Sequence, residues 1–139
     1  MKLFLQVFVF FSLNLNLLVA QEFVDVTTVT LKKDEQKKIL VKYGDDVIKL
    51  FKFRWTLYQN GGLVVNRSYD KIVSQNILYL RFRNQSFRFN LMPKGAVYYS
   101  VPYMLVKFKE FNYETNEAVF ELFLSDKTMQ IKLHHLKNS

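Results

Sequence analysis

A two-residue alternation of apolar and polar side chains constrains this chain more than any other feature, and it is clearest between Ile77 and Leu91. Leu78, Leu80 and Phe82 alternate with Tyr79, Arg81 and Arg83, and Phe87, Phe89 and Leu91 alternate with Arg88 and Asn90. Successive side chains of a strand point to opposite faces, so each arm carries one greasy and one polar face. A tight turn at Asn84-Gln85, or a four-residue loop from Arg83 to Ser86, predicts a β-hairpin. In it Phe82 faces Phe87, Leu80 faces Phe89 and Leu78 faces Leu91. The same register sets Arg81 across from Arg88, a like-charge pair that is unfavourable by a few tenths of a kcal/mol. Screening by solvent would relieve it, and so would an anion-binding role, since guanidinium matches phosphate and carboxylate geometry.

The remaining segments follow the same plan. Strands are expected over 22–31, 39–43, 47–58 and 63–69, with Phe51, Phe53, Trp55 and Leu57 on one face of the third. Asn60-Gly61-Gly62 is the strongest hairpin turn, because Asn and Gly accept positive φ. Residues 70–75 read as a connection, 92–95 as a break around Pro93 and Gly95, and 96–113 as one or two strands bent near Pro102. Loops at Glu114–Asn116 and Asp126–Lys127 register the last three strands. They pair Val106 with Leu124, Leu122 with Ile131 and Leu124 with Met129, and they align Lys109, Glu121 and Lys132 as a ladder of alternating charge. The fold class is all-β, a small antiparallel meander of about eight or nine strands, closed barrel or two-sheet sandwich, with no helix after the N-terminal segment.

Residues 1–20 read as a cleavable signal peptide: Lys2, an apolar run from Leu3 to Leu13, and Leu18-Val19-Ala20 before Gln21. An uncleaved anchor is the alternative, but the run is shorter than the ~20 residues a spanning helix needs, and no transmembrane helix is expected in the mature chain. Residues 21–139 form a single domain. The expected location is outside the cytoplasm: periplasmic in a Gram-negative source, secreted otherwise. The chain has no Cys, so no disulfide staples it, and of its 14 Phe and 8 Tyr the ten Phe and eight Tyr beyond residue 20 must stabilise it by burial.

The 139 residues contain 20 Lys and Arg against 12 Asp and Glu, and the excess is not uniform. From Val47 to Lys109 there are eleven cations and one acid, Asp70, between near-neutral flanks. Such a block steers anionic partners. The binding surface expected on this basis comprises Arg54, Arg67, Tyr79, Arg81, Arg83 and Arg88. Exported chains rarely meet nucleic acid, which disfavours that partner despite interleaved aromatics.

Catalytic and metal chemistry leave no trace in the pattern. His134 and His135 are adjacent on a strand and point to opposite faces, so they do not share a metal. There is no Cys nucleophile, no GxSxG elbow and no phosphate loop. Asp45-Asp46 and Asp34-Glu35 lie in turns, where Asp serves local hydrogen bonding. No enzyme, cofactor or metal is expected. The functional expectation is a non-enzymatic envelope protein that binds another envelope protein through a basic Tyr/Arg-rich sheet face. Binding of an anionic lipid or glycolipid is the alternative, and a small outer-membrane barrel ranks below both.

Overall fold

The computed structural model of the chain describes residues 23–44, 47–91, 101–127 and 130–139. The expected signal segment, the 92–95 break and Met129 lie outside them. The described residues form nine antiparallel strands and no helix: β1 (Asp25–Lys32), β2 (Lys37–Tyr43), β3 (Val47–Gln59), β4 (Gly62–Tyr69), β5 (Ile72–Tyr79), β6 (Ser86–Asn90), β7 (Tyr103–Asn112), β8 (Glu117–Ser125) and β9 (Ile131–His135). They make a four-stranded sheet in the order β1-β8-β7-β6 and a five-stranded sheet in the order β5-β4-β3-β2-β9. Among the described residues the two sheets do not close on each other. Of the two architectures open from sequence, the two-sheet sandwich is the one the described residues form.

The two inner faces meet through aromatic rings. Phe51, Phe53 and Trp55 of β3 are buried, as are Phe89, Phe108 and Phe120 from the opposite sheet. Phe51 lies 4.4 Å from Phe89, Phe53 meets Phe120 edge-on at 5.2 Å, and Trp55 meets Phe111 edge-on at 5.6 Å. Each such pair adds about 0.5–1.5 kcal/mol beyond the burial of its area. Trp55 Nε1 also donates to the Leu31 carbonyl at 2.8 Å, tying β3 to the edge strand β1.

The β3–β4 hairpin forms as expected. Asn60 and Gly61 have φ of 52° and 79°, the left-handed pair that a two-residue turn requires. Leu57 departs from expectation. A bulge between Trp55 and Leu57 reverses the alternation, so Leu57 is exposed and Tyr58 stacks inside on Phe111 at 4.1 Å.

The central hairpin does not form. Residues 72–79 pair with β4 through a turn at Asp70-Lys71, so the expected connection is mostly strand. Beyond Tyr79 the chain leaves this sheet, and β6 pairs with β7 in the other one. Phe87, Phe89 and Leu91 are buried as their alternation requires, but Phe82 sits in the crossover and is 69% exposed. The crossover places Phe89 on Phe51 and Tyr69 of the other sheet, and it removes the Arg81–Arg88 opposition that a hairpin would impose.

The C-terminal register is also corrected. Val106 faces Leu122 and Lys107 faces Glu121, two residues away from the expected pairing, because the loop is one residue longer and a bulge lies between Phe108 and Glu110. β9 does not pair with β8 at all. β1 occupies that position, and β9 joins β2 in the five-stranded sheet. The Lys109–Glu121–Lys132 ladder is therefore absent. Three connections change sheets (β1 to β2, β5 to β6, β8 to β9), so the topology is not a meander.

Removal of one ring from the aromatic seam tests how far the sandwich depends on it. Phe120→Ala is expected to lower the free energy of unfolding by about 3–5 kcal/mol, the usual cost of deleting a fully buried ring. The measurement is the denaturant midpoint at constant m-value.

Candidate functional site: the outer face of the five-stranded sheet

The six residues singled out by sequence are scattered. Arg88 lies on the outer face of the four-stranded sheet, its guanidinium carbon 3.5 Å from the Tyr103 ring centroid. Arg81 and Arg83 are exposed in the β5–β6 crossover. Arg67 points inward beside Phe53 and Val65, over the Phe87 ring at 4.5 Å, and its Nε donates to Asn76 Oδ1 at 2.8 Å. Burial lowers its pKa. Only Arg54 and Tyr79 share a surface, the outer face of the five-stranded sheet.

Beside Arg54, that face gathers four lysines that sequence reasoning missed. Alternation sends Lys38 and Lys42 of β2, Lys52 and Arg54 of β3, and Lys132 of β9 to the same side. The register makes Lys38 the direct cross-strand neighbour of Lys52, and Lys42 that of Lys132. No described position on the outward side of these five strands is Asp or Glu. Among the described residues none of the five cations forms an ion pair, whereas Lys49, on the inner side, bonds Asp70 at 2.8 Å. Like charges directly opposed are unfavourable, and here two pairs occur with no acid between them. The signal was present in the polar halves of 37–43 and 47–58, but only the pairing of β2 with both β3 and β9 shows that they coincide.

Within the face lies a shallow depression of about 330 Å³, lined by Gln36, Lys52, Arg54, Asn66, Arg67, Ser68 and Val73. It exists because Asn66 and Ser68 are short and stand directly across from Arg54 and Lys52. Gln75 Nε2 donates to Asn66 Oδ1 at 2.9 Å, which occupies that oxygen and leaves the Asn66 amide N–H groups available to a ligand. The depression thus presents an ammonium, a guanidinium, an amide N–H and a hydroxyl, and no carboxylate. These groups fit a phosphate or sulfate better than a cation or a neutral sugar. Around it the exposed aliphatic side chains of Ile48, Leu50, Leu57, Val73 and Ile77 alternate with the cations. Among the described residues Tyr79 is the one Phe, Tyr or Trp on the face, and its ring covers Gly62 so closely that a Cβ there would lie 3.0 Å from it.

Among the described residues no group of three or more His, Asp or Glu side chains is placed to hold a metal ion, and no helix is long and apolar enough to cross a membrane. The two histidines separate as their adjacency demands. His134 is exposed on the outer face opposite Leu40, and His135 points inward opposite Ile39. Both ring nitrogens of His135 are buried without a hydrogen-bond partner. Desolvation is the main cause of its lowered pKa. Lys37 and His134 lower it further, and Asp25 opposes them. Comparison with protein-family models, with curated proteins and with solved structures returns no match.

The His135 shift has a sign that can be checked. The folded state resists a proton that the unfolded chain accepts near pH 6.5, so stability is full above that pH and declines as pH falls below it. Between pH 7.5 and pH 5 the denaturant midpoint of the protein is expected to fall, and His135→Leu is expected to flatten that decline.

Proposed function

We propose that this chain is a non-enzymatic binding module that docks onto an anionic lipid or glycolipid surface through the outer face of its five-stranded sheet. One observation carries the reading: two lysine–lysine cross-strand pairs, Lys38–Lys52 and Lys42–Lys132, on a face with no described acid. A fold gains nothing from this arrangement. A bound polyanion turns the repulsion into attraction, at roughly 1 kcal/mol per Lys or Arg near an anionic membrane surface.

The composition of the face favours lipid over a protein partner. Protein interfaces are enriched in Tyr, Trp and Arg and depleted in Lys. Here four of the five cations are lysines, and the aliphatic side chains interleaved with them suit the boundary between headgroups and acyl chains. The depression between Lys52, Arg54, Asn66 and Ser68 would take the phosphate of a single headgroup. Location outside the cytoplasm, proposed from the apolar run Leu3–Leu13, supplies such anions as phospholipid and phosphorylated glycolipid.

Vesicle sedimentation tests the reading. The protein is expected to sediment with anionic phosphatidylglycerol vesicles and not with phosphatidylcholine, and to release as ionic strength rises. Lys52→Gln with Arg54→Gln should weaken binding about thirtyfold, the equivalent of about 2 kcal/mol. Arg88→Gln, on the opposite sheet, should leave it unchanged. Failure to sediment with anionic vesicles at low salt would overturn the proposal.

A second measurement separates a functional surface from a merely solvated one. Lys132→Glu should raise stability by about 0.2–1 kcal/mol, because it replaces a like pair with Lys42 by an opposite one. The same change should weaken vesicle binding. Stability and affinity moving in opposite directions is the expected signature.

A further inference from the structure

Among the described residues the sandwich has four edge strands, and three of them are blunted. β6 and β9 are five residues long and carry Arg88 and Lys132. β1 has Asp25 and Lys32 at its ends, and its Leu31 carbonyl is occupied by Trp55. β5 differs. It runs for eight residues, Ile-Val-Ser-Gln-Asn-Ile-Leu-Tyr, without a charge or a proline. Ile72 and Val73 are 71% and 78% exposed, and Ile77 is 48% exposed. Natural proteins protect such edges unless they pair.

The hydrogen bonds at its end show which main-chain groups face outward. Tyr79 N–H turns away from β4 to the Asn84 carbonyl at 3.2 Å, and the Ile77 carbonyl takes a long contact of 3.5 Å from Asn84 Nδ2. In an antiparallel ladder this parity also directs the N–H and C=O of Val73 and Gln75 outward. Among the described residues no group bonds to them from that side. The open window therefore runs from Val73 to the Ile77 N–H with Gln75 as its midpoint, and pairing through the Ile77 carbonyl would displace only the long Asn84 contact.

We infer that β5 pairs antiparallel with β5 of a second copy of this chain, about a two-fold axis at Gln75, to give a continuous ten-stranded sheet. The window is self-complementary in this register. Gln75 meets Gln75, Val73 meets Ile77 of the second copy on each side, and Ser74 meets Asn76. Two β-branched pairs then flank an amide pair on the outer face, which is favourable cross-strand chemistry. Sliding the second copy by two residues to centre on Asn76 would set Lys71 against Arg81, so charge selects the Gln75 register. The pairing leaves the cationic face of each copy uncovered and sets the two depressions about 20 Å apart, from strand spacings of ~4.8 Å. It stands independently of the lipid-binding proposal.

Cross-linking tests it, because the chain has no native Cys to interfere. In a purified Gln75→Cys variant the two thiols would face each other across the axis, within the Cα separation a disulfide spans. That variant is expected to form a disulfide-linked dimer under mild oxidation, and Ser74→Cys is expected not to. The unmodified protein should sediment as a dimer, and Val73→Lys, at a largely exposed position, should sediment as a monomer with an unchanged circular dichroism spectrum. A monomeric unmodified protein, a Val73→Lys dimer, or equal cross-linking at residues 74 and 75 would overturn the inference. Sedimentation and cross-linking are both read in the absence of vesicles, which keeps the outcome separate from that of the lipid-binding proposal.

Discussion

The aromatic seam along β3 is the interaction on which the rest of the structure depends. Phe51, Phe53 and Trp55 project from one side of the central strand of the five-stranded sheet and meet Phe89, Phe120 and Phe111 from three different strands of the other. No disulfide assists the fold, so this interface and the aliphatic residues around it carry the hydrophobic stabilisation. Because Phe51 and Phe53 leave no exposed surface on the inner side of β3, the outer side of the same strand is where polar residues accumulate. Lys52 and Arg54 are outward because Phe51, Phe53 and Trp55 are inward. The core and the candidate binding surface are two consequences of one alternation.

Local periodicity was enough to place most strands and their buried sides. It identified β1 to β4, the inward set Phe87, Phe89 and Leu91, and the turn at Asn60-Gly61. It failed where the decision was between partners rather than conformations. The arms 77–82 and 87–91 have the right pattern for a hairpin, and nothing local says that β5 should pair backward with β4. The turn that makes this possible, Asp70-Lys71, has both residues at positive φ (50° and 68°) without glycine or asparagine to announce it. β9 failed for the same reason. Its apolar face would pack in either sheet, and the choice of β2 over β8 rests on β1 having filled the position beside β8. A strand's own sequence fixes which side is buried, while its neighbour is settled by competition among all the strands.

Those two failures of pairing account for the misplaced site. In the expected register Lys132 stood beside Glu121, a neutral ladder with no functional content, and Arg81 stood beside Arg88. In the fold both relationships are exchanged. Glu121 faces Lys107 and Thr28 on the four-stranded sheet, where its charge is balanced. Lys132 moves beside Lys42, where it is not. Of the arginines that drew attention in the sequence only Arg54 stands on the candidate face, and the others are dispersed to a crossover, the outer face of the other sheet and an inner wall. The lysines that looked like ordinary solvated positions converge.

Charge and packing therefore pull in different directions on the five-stranded sheet. Packing alone tolerates almost any polar residue at positions 38, 42, 52 and 132, since their side chains point away from the core. Alternating signs across β9, β2 and β3 would have lowered the electrostatic free energy of the folded state, as the Lys107–Glu121 pair does on the other sheet. The five-stranded sheet instead keeps one sign over three adjacent strands and lets a neighbouring amide, Gln75, hold Asn66 with its donor side available. Repulsion of this kind persists in a folded chain at the expense of stability. It is relieved when a layer of negative charge lies against the sheet, which the proposed lipid surface would supply.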